Sequence, residues 1–210
     1  MEQLDLWEFE RKYAERGLNA VCGCDEAGAG PLAGPVYAAA VILPLGVDIP
    51  GLNDSKKLTE KKREQMFPVI QEKALAWAVA RVEAEEIDRT DILSARMKAM
   101  QMAIDALQIP ADFALVDGNR DRGKSAAITT PHELIVKGDS LSASIAAASV
   151  LAKVSRDHWM EEVAREYPQY QFEQHKGYGT KEHMAALREH GPSPIHRTKF
   201  IRFLNEENHE

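Results

Sequence analysis

Apolar and polar positions alternate along this chain with two periods. Leu4, Leu6, Trp7, Phe9 and Tyr13 form a loose helical stripe before Gly17, which predicts a short docking helix. Residues 20–26 predict a strand, and the near-continuous apolar run 36–43 predicts a second, fully buried one. Residues 53–58 form a polar turn, after which Thr59 caps a helix with Lys62 where a capping glutamate would stand. Residues 74–84 alternate through Leu75, Trp77, Val79, Arg81 and Val82 as a strand. Asp91 starts a helix with Leu93, Met97, Met100, Ile104 and Leu107 on one side, and Pro110 ends it.

Residues 113–117 predict a short buried strand closing on Asp117 and Gly118, and 133–136 another before Lys137-Gly138-Asp139. Residues 140–166 predict a helix ended by Tyr167-Pro168. Its first half carries Ala143, Ser144, Ala146, Ala147, Ala148 and Ser149, side chains so small that the helix must lie close against a sheet or another helix. Two further short helices are expected at 180–190 and 196–205. The pattern is α/β: a central mixed sheet flanked by helices, with a C-terminal helical extension. The division expected is a catalytic domain over 1–171 and an extension over 172–210, separate or integrated with it.

The 210 residues suffice for one sizeable core and at most two domains. Hydrophobic residues at 44% and charged residues at 28% give the profile of an ordinary soluble protein. No apolar run is long enough for a bilayer, and the start lacks a basic stretch followed by a greasy one, so neither membrane segment nor signal peptide is expected. Cys22 and Cys24 lie two apart on a strand, share a face and are not placed to pair locally, which fits a reducing cytoplasm. The formal charge of −7 argues against binding nucleic acid through a broadly basic surface. It leaves room for an enzyme that meets phosphates through divalent cations. The tail is an exception, with Lys176, Lys181, Arg188, Arg197, Lys199 and Arg202; taken alone, a solvated basic face explains it.

Candidate chemistry lies at the strand ends, where open α/β sheets place their sites. Asp25-Glu26, Asp117 and Asp139 all fall there, each with a glycine within two residues. Hard cations such as Mg²⁺ take carboxylate oxygens, and a pair of ions about 3.5–4 Å apart can clamp both oxygens of a phosphodiester displacement. Neighbouring strand residues point to opposite faces, so Asp25 and Glu26 can share a site only if the chain bends, which Gly28 and Gly30 permit. One by one, these acids also read as turn or cap residues, Asp139 as the N-cap of the 140–166 helix. Their recurrence at three strand ends favours the metal site. Gly28-Ala29-Gly30-Pro31-Leu32-Ala33 also matches a dinucleotide fingerprint, but a strand follows it rather than a helix, and the two carboxylates before it would repel a pyrophosphate.

In order along 21–203, the chain carries Gly23-Cys24-Asp25-Glu26-Ala27-Gly28, Leu52-Asn53-Asp54-Ser55-Lys56-Lys57-Leu58, Val116-Asp117-Gly118-Asn119, Val136-Lys137-Gly138-Asp139, the run 145–157, and His175-Lys176-Gly177-Tyr178-Gly179-Thr180. With these motifs it closely resembles the bacterial ribonuclease HII family. The resemblance implies a ribonuclease H-like fold. It also implies cleavage of RNA in RNA–DNA hybrids, and incision 5′ of single ribonucleotides in duplex DNA leaving 5′-phosphate and 3′-hydroxyl ends. It implies two Mg²⁺ or Mn²⁺ ions on Asp25, Glu26, Asp117 and Asp139, with Asp25 bridging and Asp139 acting through water or by orienting the nucleophile. A monomer is expected, and nothing names a partner on the replication machinery.

The same resemblance makes Tyr178 the ring that packs on the sugar following the ribonucleotide, where a 2′-hydroxyl would clash; without it Tyr178 is a turn aromatic. Ser55, Lys56 and Lys57 match a phosphate-contacting loop, and without the resemblance they are a solvated turn. Arg197 matches a tail motif that contacts phosphate or pins the extension. In the family's Gly-Arg-Gly loop, backbone groups read the 2′-hydroxyl and the arginine adds a phosphate contact. Here the loop is Gly28-Ala29-Gly30, which keeps the backbone and lacks the guanidinium. Weaker substrate handling is expected. The alternative is a catalytically impaired hybrid-binding protein, against which the four retained carboxylates speak.

Overall fold

The computed structural model describes residues 5–53 and 55–204. Leu4 of the first stripe, Asp54 of the polar turn and the end of the helix expected over 196–205 lie outside the described residues. Five strands form one mixed sheet in the order β3-β2-β1-β4-β5. They are β1 (Val21–Ala27), β2 (Val36–Ile42), β3 (Ala76–Val82), β4 (Phe113–Asp117) and β5 (His132–Ile135). β1, β2 and β3 pair antiparallel, while β1–β4 and β4–β5 are parallel.

The small-residue helix is α5 in chain order (Ala143–Glu166), and it crosses one face of the sheet. Gly23 of β1 makes the approach possible: a Cβ there would fall 2.1 Å from the carbonyl carbon of Ser144. α1 (Glu8–Ala14) and α2 (Glu60–Lys73) lie on the same side, α2 packing Met66 and Ile70 against the α5 cluster. On the other face, α4 (Ile92–Asp105) buries Met97, Met100 and Ile104 against Cys22, Cys24, Val36 and Ala38. Both cysteines are buried and unpaired on that one face.

Several boundaries differ from the sequence expectations. The strand expected over 74–84 is shorter, because α3 (Ala84–Arg89) begins where it ends. α5 starts at Ala143 rather than at 140: the Ser142 hydroxyl accepts from the Ile145 amide at 3.2 Å and is the N-cap. Asp139 is therefore not a cap; it sits in a 3₁₀ turn, Gly138–Ser140, ahead of the helix. The helix expected from 196 is interrupted: a 3₁₀ turn, Thr198–Phe200, stands at its start, and helical residues follow only at 203–204. The Asp88 carboxylate accepts from the Thr198 and Lys199 amides at 2.7 and 3.0 Å, and this tether to α3 replaces helical bonding. A short helix at the start of the extension, α6 (Phe172–His175), has no counterpart in the sequence reading, whereas α7 (Lys181–His190) matches it.

The extension is welded to the rest. Phe172, Leu187 and Ile201 share one hydrophobic cluster with Ala33, with Tyr170 and with Met160 of α5. Among the described residues no helix is long and apolar enough to cross a membrane.

Candidate active site

The parallel register sets Cys24 opposite Val116, so Asp25 and Asp117 come side by side at the C-terminal ends of β1 and β4. Asp117 in turn pairs with Ile135 of β5, and the turn after β5 carries Asp139. Three adjacent parallel strand ends thus supply the predicted acids. Asp117 Oδ1 accepts from the Gly138 amide at 2.7 Å, and from the Asp139 amide at 3.5 Å, which locks the Asp139 turn onto β4. Asp25 and Asp139 are both buried, 4% exposed.

Strand alternation separates Asp25 from its neighbour. Asp25 follows the parity of Val21 and Gly23, on the α5 side, whereas Glu26 follows Cys22 and Cys24, on the α4 side. There Arg96 of α4 meets it, with Nη2 2.6 Å from Glu26 Oε1. Asp25 Oδ1 accepts from the Glu26 amide at 2.7 Å. The bend expected at the glycines falls one residue beyond the strand, at Gly28 (φ +92°).

The electrostatics match a site that lacks enough positive charge. Burial pushes the Asp25 carboxyl well above the usual range, and the like charges of Glu26 and Asp117 push it further. Burial raises Glu26 too, opposed chiefly by Arg96. Glu26 Oε2 is buried without a hydrogen-bond partner. Lys56, 78% exposed, holds its ammonium 3.6 Å from Asp139 Oδ2. Among the described residues, no three His, Cys, Asp or Glu side chains stand in an arrangement that holds a metal ion as placed. The donors nevertheless suit a hard divalent cation: four carboxylates, two of them strained by mutual repulsion, and one orphaned oxygen. Holding an ion calls for side-chain rotation, that of Glu26 away from Arg96 above all.

The glycine loop lies beside the acids and is clamped from behind by two buried arginines. Arg197 was expected at a phosphate or as a pin; it is fully buried and donates to the carbonyls of Gly28, Ala29 and Gly34 at 2.6, 3.0 and 2.9 Å. Arg156 donates to Ala33, Pro35 and Lys176 carbonyls at 3.0, 3.1 and 2.9 Å. A Cβ on Gly28 would lie 2.1 Å from Arg156 Nε, so only glycine fits. With the carbonyls held inward, the loop turns its other edge outward at exposed Gly30. The Tyr178 ring closes that edge: a Cβ on Gly30 would be 3.7 Å from Tyr178 Cε1. Tyr178 is 46% exposed, and its carbonyl is held by His183 Nδ1 at 2.9 Å.

The Ser55 loop is mixed. Ser55 is buried and accepts from Ser149 Oγ at 2.6 Å, so its side chain faces inward, while Lys57 reaches the Ser140 hydroxyl at 2.9 Å. Sequence reasoning missed Arg96 and gave Arg156 no role. Arg156 carried a signal only as part of the run 145–157; Arg96, on an amphipathic helix, carried none. The dinucleotide alternative fails on the observed order, since β2 follows the loop where a helix is required.

The sequence profile of the family described as Ribonuclease HII matches residues 22–203. A ribonuclease HII from Dechloromonas aromatica is 58% identical over 183 residues, spanning 87% of this chain and 91% of that protein. The ribonuclease H2 of Pyrococcus horikoshii superposes with a TM-score of 0.73 at 24% identity, over 90% of this chain and 99% of that one. Bst-RNase HIII, solved in complex with Mn²⁺, superposes at 0.59 with 20% identity, over 82% and 63%. On the sequence match, which spans nearly all of the sheet and the extension, this chain belongs to the ribonuclease HII family and is a ribonuclease H endonuclease.

Proposed function

We propose that the chain cleaves the RNA strand of RNA–DNA hybrids and incises 5′ of single ribonucleotides in duplex DNA, leaving 5′-phosphate and 3′-hydroxyl ends. The observation that carries this reading is the convergence of Asp25, Asp117 and Asp139 beside a loop whose carbonyls are pinned inward and whose free edge meets Tyr178.

Asp25, Glu26, Asp117 and Asp139 would hold two divalent cations, Mg²⁺ or Mn²⁺. When bound, such ions lower the pKa of an attacking water and neutralise the leaving 3′-oxygen. Asp25, which feels the charges of both Glu26 and Asp117, would be the most central of the four ligands. Asp139, restrained by its amide contact to Asp117, orients a water at the edge of the cluster. The backbone of residues 28–30, exposed at Gly30, reads the 2′-hydroxyl, the only backbone difference between RNA and DNA. Tyr178 stacks on the sugar that follows and excludes a second 2′-hydroxyl. Lys56 and Lys57 contact phosphates. Ser55 and Arg197 belong to the substrate surface through the loops they fix. The lack of a guanidinium at Ala29 weakens substrate grip without touching the carboxylates. The protein works as a monomer in the cytoplasm, its extension beginning near residue 172.

Asp25→Asn and Asp117→Asn test the assignment. The charge stabilisation that metal ions supply is worth several kcal/mol, so each variant should cleave an RNA–DNA hybrid about a thousandfold more slowly while melting like the parent. Full activity in either would remove that carboxylate from the site.

A further inference from the structure

Arg96 pairs with the one predicted ligand that strand alternation turns away from the others. Its Nη2 stands 2.6 Å from Glu26 Oε1, and the pair leaves two polar atoms buried and unpartnered, Glu26 Oε2 and Arg96 Nε. A guanidinium fork meets a carboxylate best through two parallel hydrogen bonds. Here one contact is made, and a further donor and a further acceptor of the pair are both unused, so the pair is half-engaged. Buried polar atoms of this kind are costly unless another partner completes them.

A divalent cation at the Asp25–Asp117 edge would offer the Glu26 carboxylate a fuller set of contacts, on condition that the carboxylate turns from Arg96. Glu26 feels both neighbours: Asp117 acts on it, and it acts on Asp25. We infer that Arg96 is a positioning residue that competes with divalent cations for the Glu26 carboxylate, so that Glu26 alternates between α4 and the metal site. This rests on the assignment of Glu26 as a metal ligand above. Without a cation, the guanidinium offsets the repulsion among Glu26, Asp25 and Asp117 and keeps the site formed. Cation binding draws Glu26 from Arg96 and frees the guanidinium beside the site. The other positive group acting on Glu26 is Lys56, which is exposed and held near Asp139. Arg96 is therefore the group whose removal changes the competition most.

The test is titration of the substrate-free protein with Mn²⁺ by calorimetry, with melts as a check on folding. Arg96→Gln should bind Mn²⁺ about tenfold more tightly than the parent, the lower end of the scale on which groups behind a ligand tune a metal site. The gain should vanish in Arg96→Gln combined with Glu26→Gln. Unchanged or weaker binding in Arg96→Gln overturns the competition. If Glu26→Gln alone binds Mn²⁺ like the parent, Glu26 is not a ligand and the underlying assignment falls. If Glu26→Gln weakens binding and Arg96→Gln does not strengthen it, only the role of Arg96 falls. Should Arg96→Gln not fold, the parent protein gives the same answer by NMR. Its Arg96 Nε–H signal, identified by its absence in Arg96→Lys, should move on adding Mg²⁺, and a signal that stays fixed through saturation overturns the proposal.

Discussion

Arg197 donates from Nη2 to the carbonyl of Gly28 over 2.6 Å, joining residues 169 apart in the chain. The same guanidinium takes the Ala29 and Gly34 carbonyls, and burial lowers its pKa to about 9. A group of the C-terminal extension thus sets the shape of the loop that follows the first two carboxylates. The extension works on the site from inside, through the backbone.

Arg197→Met should show this. It leaves three carbonyls without their donor, at a cost of about 1–3 kcal/mol for each buried group left unsatisfied. The melting temperature should fall, and kcat/KM on a single-ribonucleotide duplex should fall by at least about tenfold, since a loop displaced by an ångström no longer aligns its substrate. A variant that melts and cleaves like the parent would contradict the role assigned to Arg197.

Tyr178 should act as a selector through its ring. Tyr178→Phe keeps the face beside Gly30 and should keep the preference for an RNA-to-DNA junction over continuous RNA. Tyr178→Ala should lose that preference by about tenfold, while cleavage of continuous hybrid changes less. Parallel rate measurements on the two substrates decide it, and an equal loss on both would reduce Tyr178 to a packing residue.

Much of this arrangement was legible in the sequence, for reasons that differ by residue. The strands that carry Asp25-Glu26 and Asp117 announced themselves because apolar runs led into carboxylates followed closely by glycine. The closeness of α5 to β1 followed from its alanines and serines, and Gly23 is its counterpart on the sheet. What stayed hidden depended on contacts far apart in sequence. Nothing local marks Arg96 as the partner of Glu26, or Asp88 as the group that ends helical bonding at Thr198. Arg197 was legible as a motif residue but not as a buried one, because a basic tail usually signals solvent.

The extension should also lose stability in mild acid. The Ser193 amide donates to His196 Nδ1 at 2.9 Å, the Nε2 atoms of His196 and His183 share one hydrogen bond at 2.9 Å, and His183 Nδ1 donates to the Tyr178 carbonyl. This chain is satisfied only when both rings are neutral. Burial, then the neighbouring His183, lowers His196 to about 4, and burial lowers His183 as well. An unfolded histidine takes its proton near pH 6.5, so between about 6.5 and 4 the unfolded chain binds more protons than the folded one. The contribution of His196 is complete above pH 6.5 and is lost as pH falls towards 4, on the order of 3 kcal/mol in all. Asp25 and Glu26, raised by burial, act in the opposite sense, so the comparison with His196→Gln isolates the histidine. In urea unfolding from pH 7.5 to 4.5, that variant should lose less stability towards acid than the parent, and an identical slope would contradict the role of His196.

Ala29→Arg should strengthen substrate handling. It adds a guanidinium at a partly exposed position whose carbonyl is already held by Arg197. One charge-assisted phosphate contact of about 1.5 kcal/mol corresponds to about tenfold in kcat/KM. Steady-state nicking of a single-ribonucleotide duplex measures it, and no change in efficiency would show that Ala29 costs the chain nothing.

The central claim is that the carboxylates and the loop form one ribonucleotide-directed, metal-dependent cleavage site. Its most direct test is a DNA duplex with one embedded ribonucleotide, incubated with the purified protein in Mg²⁺, Mn²⁺ or EDTA and read at nucleotide resolution. The account predicts a single nick 5′ of the ribonucleotide, with a 3′-hydroxyl and a 5′-phosphate, in either metal and none in EDTA. Binding without nicking, or cleavage that persists in EDTA, would contradict it.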